Sequence, residues 1–251
     1  MSNRDLLDCF FVLRLKMTET LLQGDCLKLL PTIQDNSIDL ILADLPFGIT
    51  RNEWDSIIPL EPLFEQYKRI IKDHGAILLF GDEPFASHLR LADEKLYRYD
   101  WIWIKSKSRG FLNAKRMPLK NTERICVFYK HLPTYNPQMR AGKPYIAKKH
   151  SSSSNYGKYQ VHHLTINKGT RYPATTIKFN NVFKTVHPTQ KPVDLLKYLI
   201  KTYTNEGMTV LDNCMGSGST GVAAKQLNRN FIGMELDKEY FEIAKQRIKE
   251  A

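Results

Sequence analysis

Residues 216–221 read Gly-Ser-Gly-Ser-Thr-Gly, a G-x-G-x-x-G turn, and Glu235 stands 19 positions after Gly216. Glycines at those places let the backbone approach a ligand, the helix that follows offers unpaired N–H groups, and the acid can accept hydrogen bonds from ribose hydroxyls. That is nucleotide-binding chemistry. The turn would normally open a dinucleotide fold, yet only 30 residues follow Gly221, too few to build the sheet it should start. Near the other end, the apolar run Ser37 to Asp44 ends on a carboxylate and continues Leu45-Pro46-Phe47. Two further stretches carry polar groups at turns: Gly24-Asp25-Cys26, and His187-Pro-Thr-Gln-Lys-Pro192.

These residues need elements to hold them. "SIDLILAD" (37–44) and "GAILLFGD" (75–82) read as buried parallel strands, and "LEPLFEQYKRIIKD" between them has apolar residues at helical spacing. A helix is expected from Pro84 to about Asp93, then an antiparallel pair from "YRYDWIWIK" (97–105) and "ERICVFYK" (123–130). Residues 131–185 are polar and irregular, with Ser151 to Ser154 in succession, which suits a functional or disordered insertion. After it come a helix opened by Pro192 and closed before Gly207, the strands "MTVLDN" and "NFIGME" with "TGVAAKQLN" between them, and a last helix, "DKEYFEIAKQRIKE". Placed at the centre of a sheet begun by the N-terminal strands, the late turn makes sense: the chain is a circularly permuted Rossmann-like α/β domain.

The formal net charge is +11 over 251 residues, and it is concentrated. Residues 101–185 hold 17 Lys and Arg against one acid, Glu123, while the rest has 20 basic and 25 acidic residues. Aromatics lie among those cations, including Trp101, Trp103, Phe111, Tyr129, Tyr135, Tyr145 and Tyr172. A solvated lysine-rich face would account for charge alone; charge with aromatics is what a nucleic-acid groove requires. No apolar run reaches the ~20 residues of a membrane-spanning helix. The opening segment lacks a secretory cleavage pattern, Met17 competes with Met1 as a start, and residues 1–16 read as an extension. Four cysteines without C-x-x-C spacing indicate no metal site and a reducing, cytoplasmic setting.

The motifs "ADLPFGIT", "HPTQKP", "LDNCMGSGSTG" and "FIGMELD", in that order, resemble those of the permuted, β-class DNA amino-methyltransferases, which use S-adenosylmethionine. The resemblance covers nearly all of residues 20–250 and is weakest in the recognition region. It implies a mostly parallel seven-stranded sheet with an antiparallel pair, a methyltransferase domain at 17–130 and 186–251, and a target-recognition insertion at 131–185. It further implies that Asp44, Leu45, Pro46 and Phe47 are catalytic. Asp212, Met215, Gly216, Ser217, Gly218, Ser219 and Thr220 would lie against the methionine and ribose of the cofactor, with Glu235 on the ribose hydroxyls. Asp25 would reach the adenine amino group, or serve as a helix cap, or both. Thr189, Gln190 and Lys191 would bind the methionine carboxylate.

An exocyclic amine on a base is a poor nucleophile because its lone pair is delocalised. Asp44 and the Leu45 carbonyl would hold its two hydrogens and aim that lone pair, Pro46 restricting Leu45 to extended backbone. Phe47 would stack on a base swung out of the duplex. Leu45 and Phe47 depart from the commonest Asp-Pro-Pro-Tyr, yet the carbonyl and the ring both survive. By the resemblance, Asp rather than Ser at the first position leans toward adenine N6, with cytosine N4 as the alternative. Lys105, Lys107, Arg109, Lys115 and Arg116 are candidate contacts to double-stranded DNA. A cognate restriction endonuclease and a homodimer are further implied partners. RNA methylation, an NAD(P)-dependent oxidoreductase and a non-catalytic DNA-binding protein compete with this reading.

Overall fold

The protein is described by a computed structural model covering residues 17–48, 56–148, 164–183 and 190–251. The expectations for residues 1–16, Ser151 to Ser154 and Thr189 fall outside these residues. In chain order the elements are β1 (Glu19–Gln23), α1 (Cys26–Leu29), β2 (Ile38–Ala43), α2 (Leu60–Ile70), β3 (Ile71–Gly81), α3 (Phe85–Ala92), β4 (Tyr97–Arg109) and β5 (Lys120–Phe128). The short strands β6 (Arg140–Ala141), β7 (Tyr145–Lys148), β8 (Leu164–Asn167), β9 (Thr170–Arg171) and β10 (Thr176–Phe179) follow. The chain continues with α4 (Val193–Tyr203), β11 (Thr209–Asp212), α5 (Ser219–Gln226), β12 (Asn230–Glu235) and α6 (Lys238–Glu250).

Eight strands form one sheet in the order β1-β12-β11-β2-β3-β5-β4-β10. β5 is antiparallel to both neighbours, and every other pairing is parallel. The seven expected strands are present; the eighth, β10, comes from the stretch read as irregular. That stretch also forms two separate two-stranded sheets, β6-β9 and β7-β8. Their strands are mostly exposed and two to four residues long, so they carry no periodic apolar signal that a sequence window could detect.

Period-two alternation in the central strands builds two cores. Leu40 and Leu42 of β2, with Leu78 and Phe80 of β3, pack on one side against Leu195, Leu196 and Leu199 of α4, Ala223 of α5 and Ile248 of α6. Ile41 and Ala43, with Ile77 and Leu79, face the other side, against Leu63, Phe64 and Tyr67 of α2 and Phe85 and Leu89 of α3. All six residues of β2 are therefore buried, which explains why every one of them but Asp39 is apolar. α2 ends at Ile70 and β3 starts at Ile71, earlier than expected, so "KDHG" belongs to the strand.

The pairing that matters for function is β11 on β2, with Val210 opposite Leu40 and Leu211 opposite Ile41. Asp39 reinforces the junction: its Oδ2 accepts from the Thr209 N–H at 2.9 Å and from Lys72. Because the two strands are parallel, their carboxyl ends open side by side. Ligands of open α/β sheets bind in such crevices.

Candidate active site

Most site residues leave the carboxyl end of a strand or the turn after it, while Gln190 and Lys191 precede α4. β11 ends in Asp212, and its turn runs through Gly216 and Gly218, at φ 51° and 78°, into α5. Both glycines use left-handed backbone, which a side chain would strain. Gly221 has a different duty: a Cβ there would lie 2.7 Å from Phe231 Cε1 and 2.8 Å from Ile248 Cγ1, so its bareness lets α5 sit against β12 and α6. The Gly216 N–H donates to Glu235 Oε2 at 2.8 Å, and the Asp237 N–H to Glu235 Oε1 at 2.8 Å, tying the turn to the end of β12. β1 pairs with β12 so that Gln23 faces Glu235, which puts Asp25 beside it. Asp25 is the α1 cap, accepting from the Leu27 N–H at 2.9 Å, and it also lines the cavity.

Asp44, Leu45, Pro46 and Phe47 share one cavity with this turn. The cavity measures about 640 Å³ and is lined by all four and by Asp25, Gln190, Lys191, Asp212, Met215, Ser217, Ser219, Thr220 and Glu235, among others. Phe47 stacks on Phe85, ring centroids 5.1 Å apart and planes 27° from parallel.

Two of the expected cations are paired with acids. Lys191 lines the cavity, and its Nζ donates to Asp44 Oδ2 and sits 3.2 Å from Glu123 Oε1, over the Phe80 ring. Lys105 is no surface cation, being buried and paired with Glu123 Oε2. The reason is the same for both. An ammonium in an apolar layer is stable only beside a carboxylate, and the nearest acids face inward. Lys107, Arg109, Lys115 and Arg116 are exposed, and Arg109 reaches the cavity.

Sequence reasoning passed over Glu123, Asn213 and Cys214, which also line the cavity. Asn213 is fixed by the Tyr67 hydroxyl, which donates to its Oδ1 at 2.6 Å. Glu123 left a signal: it is the lone acid among 17 cations in residues 101–185, two residues before the apolar run Ile125–Phe128 of its strand.

Burial sets the electrostatics. It pushes Asp44 up, against the opposing pull of Lys191. It pushes Asp212 up to about 7, against hydrogen bonds from Thr220 and the Cys214 N–H. Glu235 is raised by burial too. Burial alone would lower Lys191, but Asp44 and Glu123 outweigh it and hold the ammonium charged. Burial would likewise raise Glu123, yet Lys191 and Lys105 hold it below the usual carboxylate range.

A parallel sheet entered midway, with a glycine turn and an acid-bearing loop opening on one cavity, defines a methyltransferase of permuted order. A sequence model of N6/N4 DNA methylases matches residues 38–246, and the chain belongs to that family. It is 31% identical over 260 residues to the type II methyltransferase M.HpaI of Haemophilus parainfluenzae, covering 92% of this chain and 74% of the relative. It is 27% identical over 244 residues to the DNA adenine methyltransferase YhdJ of Escherichia coli K12, covering 92% and 82%. The crystal structure of the M1.HpyAVI–SAM complex superposes with a TM-score of 0.63 at 25% identity, covering 92% of this chain and 99% of that one.

The protein is thus a DNA methyltransferase, an enzyme acting on double-stranded DNA with S-adenosylmethionine as methyl donor. The cavity fits that donor. Its volume lies in the range of small-ligand sites, and buried carboxylates face it where a cationic ligand is to be neutralised. No helix of the described residues is long and apolar enough to cross a membrane.

Proposed function

We propose that the protein is a site-specific DNA adenine N6-methyltransferase that acts on an adenine swung out of the duplex. The observation carrying this reading is Asp44 Oδ1, a buried carboxylate oxygen with no hydrogen-bond donor among the described residues, beside the cavity that the glycine turn lines. An amine bearing two hydrogens is the group such an oxygen can satisfy. Asp44 Oδ1 and the Leu45 carbonyl each take one hydrogen and direct the lone pair. Bound in the cavity, S-adenosylmethionine supplies an activated methyl group. Asp25 and Glu235 would hold its adenosine end, with Gln190, Asp212, Met215 and the 216–220 turn around the remainder. The methylated nitrogen is strongly acidic and gives its proton to Asp44 or to water. Phe47 would stack on the base.

Adenine is favoured by Asp at position 44 and by the name of the relative YhdJ. We read residues 17–130 and 186–251 as the catalytic unit and 131–185 as the recognition insertion, with β10 hydrogen-bonded into the main sheet. Lys107, Arg109, Lys115 and Arg116 would meet the duplex. A cytoplasmic setting, a cognate endonuclease and a homodimer complete the proposal, resting on the type II relatives.

Tritiated methyl transfer to unmethylated genomic DNA, followed by nucleoside analysis, tests the reading. N6-methyladenine is the expected product; N4-methylcytosine would overturn the base assignment. Asp44→Ala should reduce transfer by about a thousandfold or more while leaving cofactor binding nearly unchanged. Turnover retained by this variant would refute the role of Asp44.

A further inference from the structure

Four charged side chains form a chain at the cavity wall, Lys105, Glu123, Lys191 and Asp44, the last three lining it. Glu123 is 4% exposed and stands on β5, opposite Trp103 of β4. Its Oε2 accepts from Lys105 Nζ, which lies 4.8 Å from the centre of the Trp103 ring. Its Oε1 makes no hydrogen bond, though Lys191 Nζ is 3.2 Å away at ion-pair distance. The hydrogen bond of Lys191 goes instead to Asp44 Oδ2 alone. The formal charges of the four cancel.

The protein contains its own control for this geometry. Among the described residues Lys72 pairs with Asp39 and no second acid, and spans both carboxylate oxygens, at 2.8 and 2.9 Å. A lysine on a flexible four-carbon stem with three donors tends to cover a carboxylate in that way. At Asp44 the same act would consume Oδ1, the oxygen assigned above to the target amine. Glu123 Oε1 lies 3.2 Å from the Lys191 ammonium, so its charge competes with Asp44 for that cation. A brace of purely structural purpose would not need four buried ions, since apolar side chains of like volume serve as well or better.

We propose that Glu123 is a positioning residue for methyl transfer: anchored by Lys105, it holds the Lys191 ammonium to one side of Asp44, so that Oδ2 is covered and Oδ1 stays open for an N6 hydrogen. The inference rests on the methyltransferase reading of Asp44 and adds a residue that acts through Lys191. The charged groups facing Asp44 are Lys191 before α4, Glu123 on β5, Lys105 on β4 and Asp212 at the end of β11. Glu123 raises the proton affinity of Asp44, so neutralising it moves the acid limb of the kcat profile to lower pH.

The test is Glu123→Gln, which keeps shape and removes charge, beside Lys105→Met/Glu123→Gln, which also removes the cation left unpaired. In both, kcat should fall by about tenfold to a hundredfold, with S-adenosylmethionine and DNA dissociation constants within about twofold of wild type. The acid limb should shift downward, and Glu123→Asp should recover part of the loss. In a Lys191→Met background, Glu123→Gln should change kcat by less than about twofold, because its effect passes through Lys191. Wild-type kcat and an unmoved acid limb in either variant that still binds cofactor overturn the inference. The double variant decides if the single one does not fold. Failure of the wild type to methylate DNA, or turnover by Asp44→Ala, would instead sink the reading beneath it.

Discussion

Asp44, Asp212 and Glu235 face one cavity, and burial lifts the proton affinity of all three. Asp212 is the informative one, moving from 3.8 to about 7. A carboxyl that binds its proton more tightly when folded contributes stability below its unfolded value, and that contribution is lost as pH rises through about 7. The cofactor-free protein should therefore melt at lower temperature at pH 8 than at pH 6, and Asp212→Asn should flatten that slope; calorimetry checks both. A donor with sulfonium and ammonium charges prefers the ionised carboxylates. Its binding should release protons near pH 7 and tighten as pH rises, as titration calorimetry in buffers of different ionisation enthalpy would register. Proton uptake would contradict this account.

At the scale of elements, the packing of α5 depends on Gly221. Gly221→Val would press against Phe231 and Ile248, costing about 1–3 kcal/mol and lowering the urea midpoint. An unchanged midpoint would mean that α5 and α6 can part without cost. The same elements explain what was legible in advance. The strands ending at Asp44 and Asp212 are apolar runs bounded by turn residues, and the glycine turn has a spacing tied to backbone geometry, so both could be read locally. The direction of Lys191 could not. It depends on Glu123, brought close by the β4-β5 register and by two strand crossings. β10 was hidden for another reason: its four residues are polar in context, and only Ile177 is buried.

At the scale of the whole molecule, positive charge is concentrated in residues 101–185. The end of β4 carries exposed Lys107 and Arg109 and its connection to β5 carries exposed Lys115 and Arg116, with Phe111 81% and Leu112 98% exposed between them. If those cations meet phosphates, Lys115→Glu/Arg116→Glu should weaken DNA binding at every sequence. It should also lower the slope of log affinity against log salt by about 2, with cofactor affinity unaffected. A variant with the wild-type slope would place the duplex elsewhere.

The junction of β2 with β11 joins residues about 170 positions apart, so the two halves of the reaction are synthesised at different times. A nascent chain acquires its acid-bearing loop and cationic arm long before Thr209 to Glu235 are made. A fragment released in that interval would carry much of the surface proposed to hold DNA yet lack the pocket for the methyl donor. The pocket for the methyl donor is thus complete only once the last strands have paired with the first, a late and long-range step.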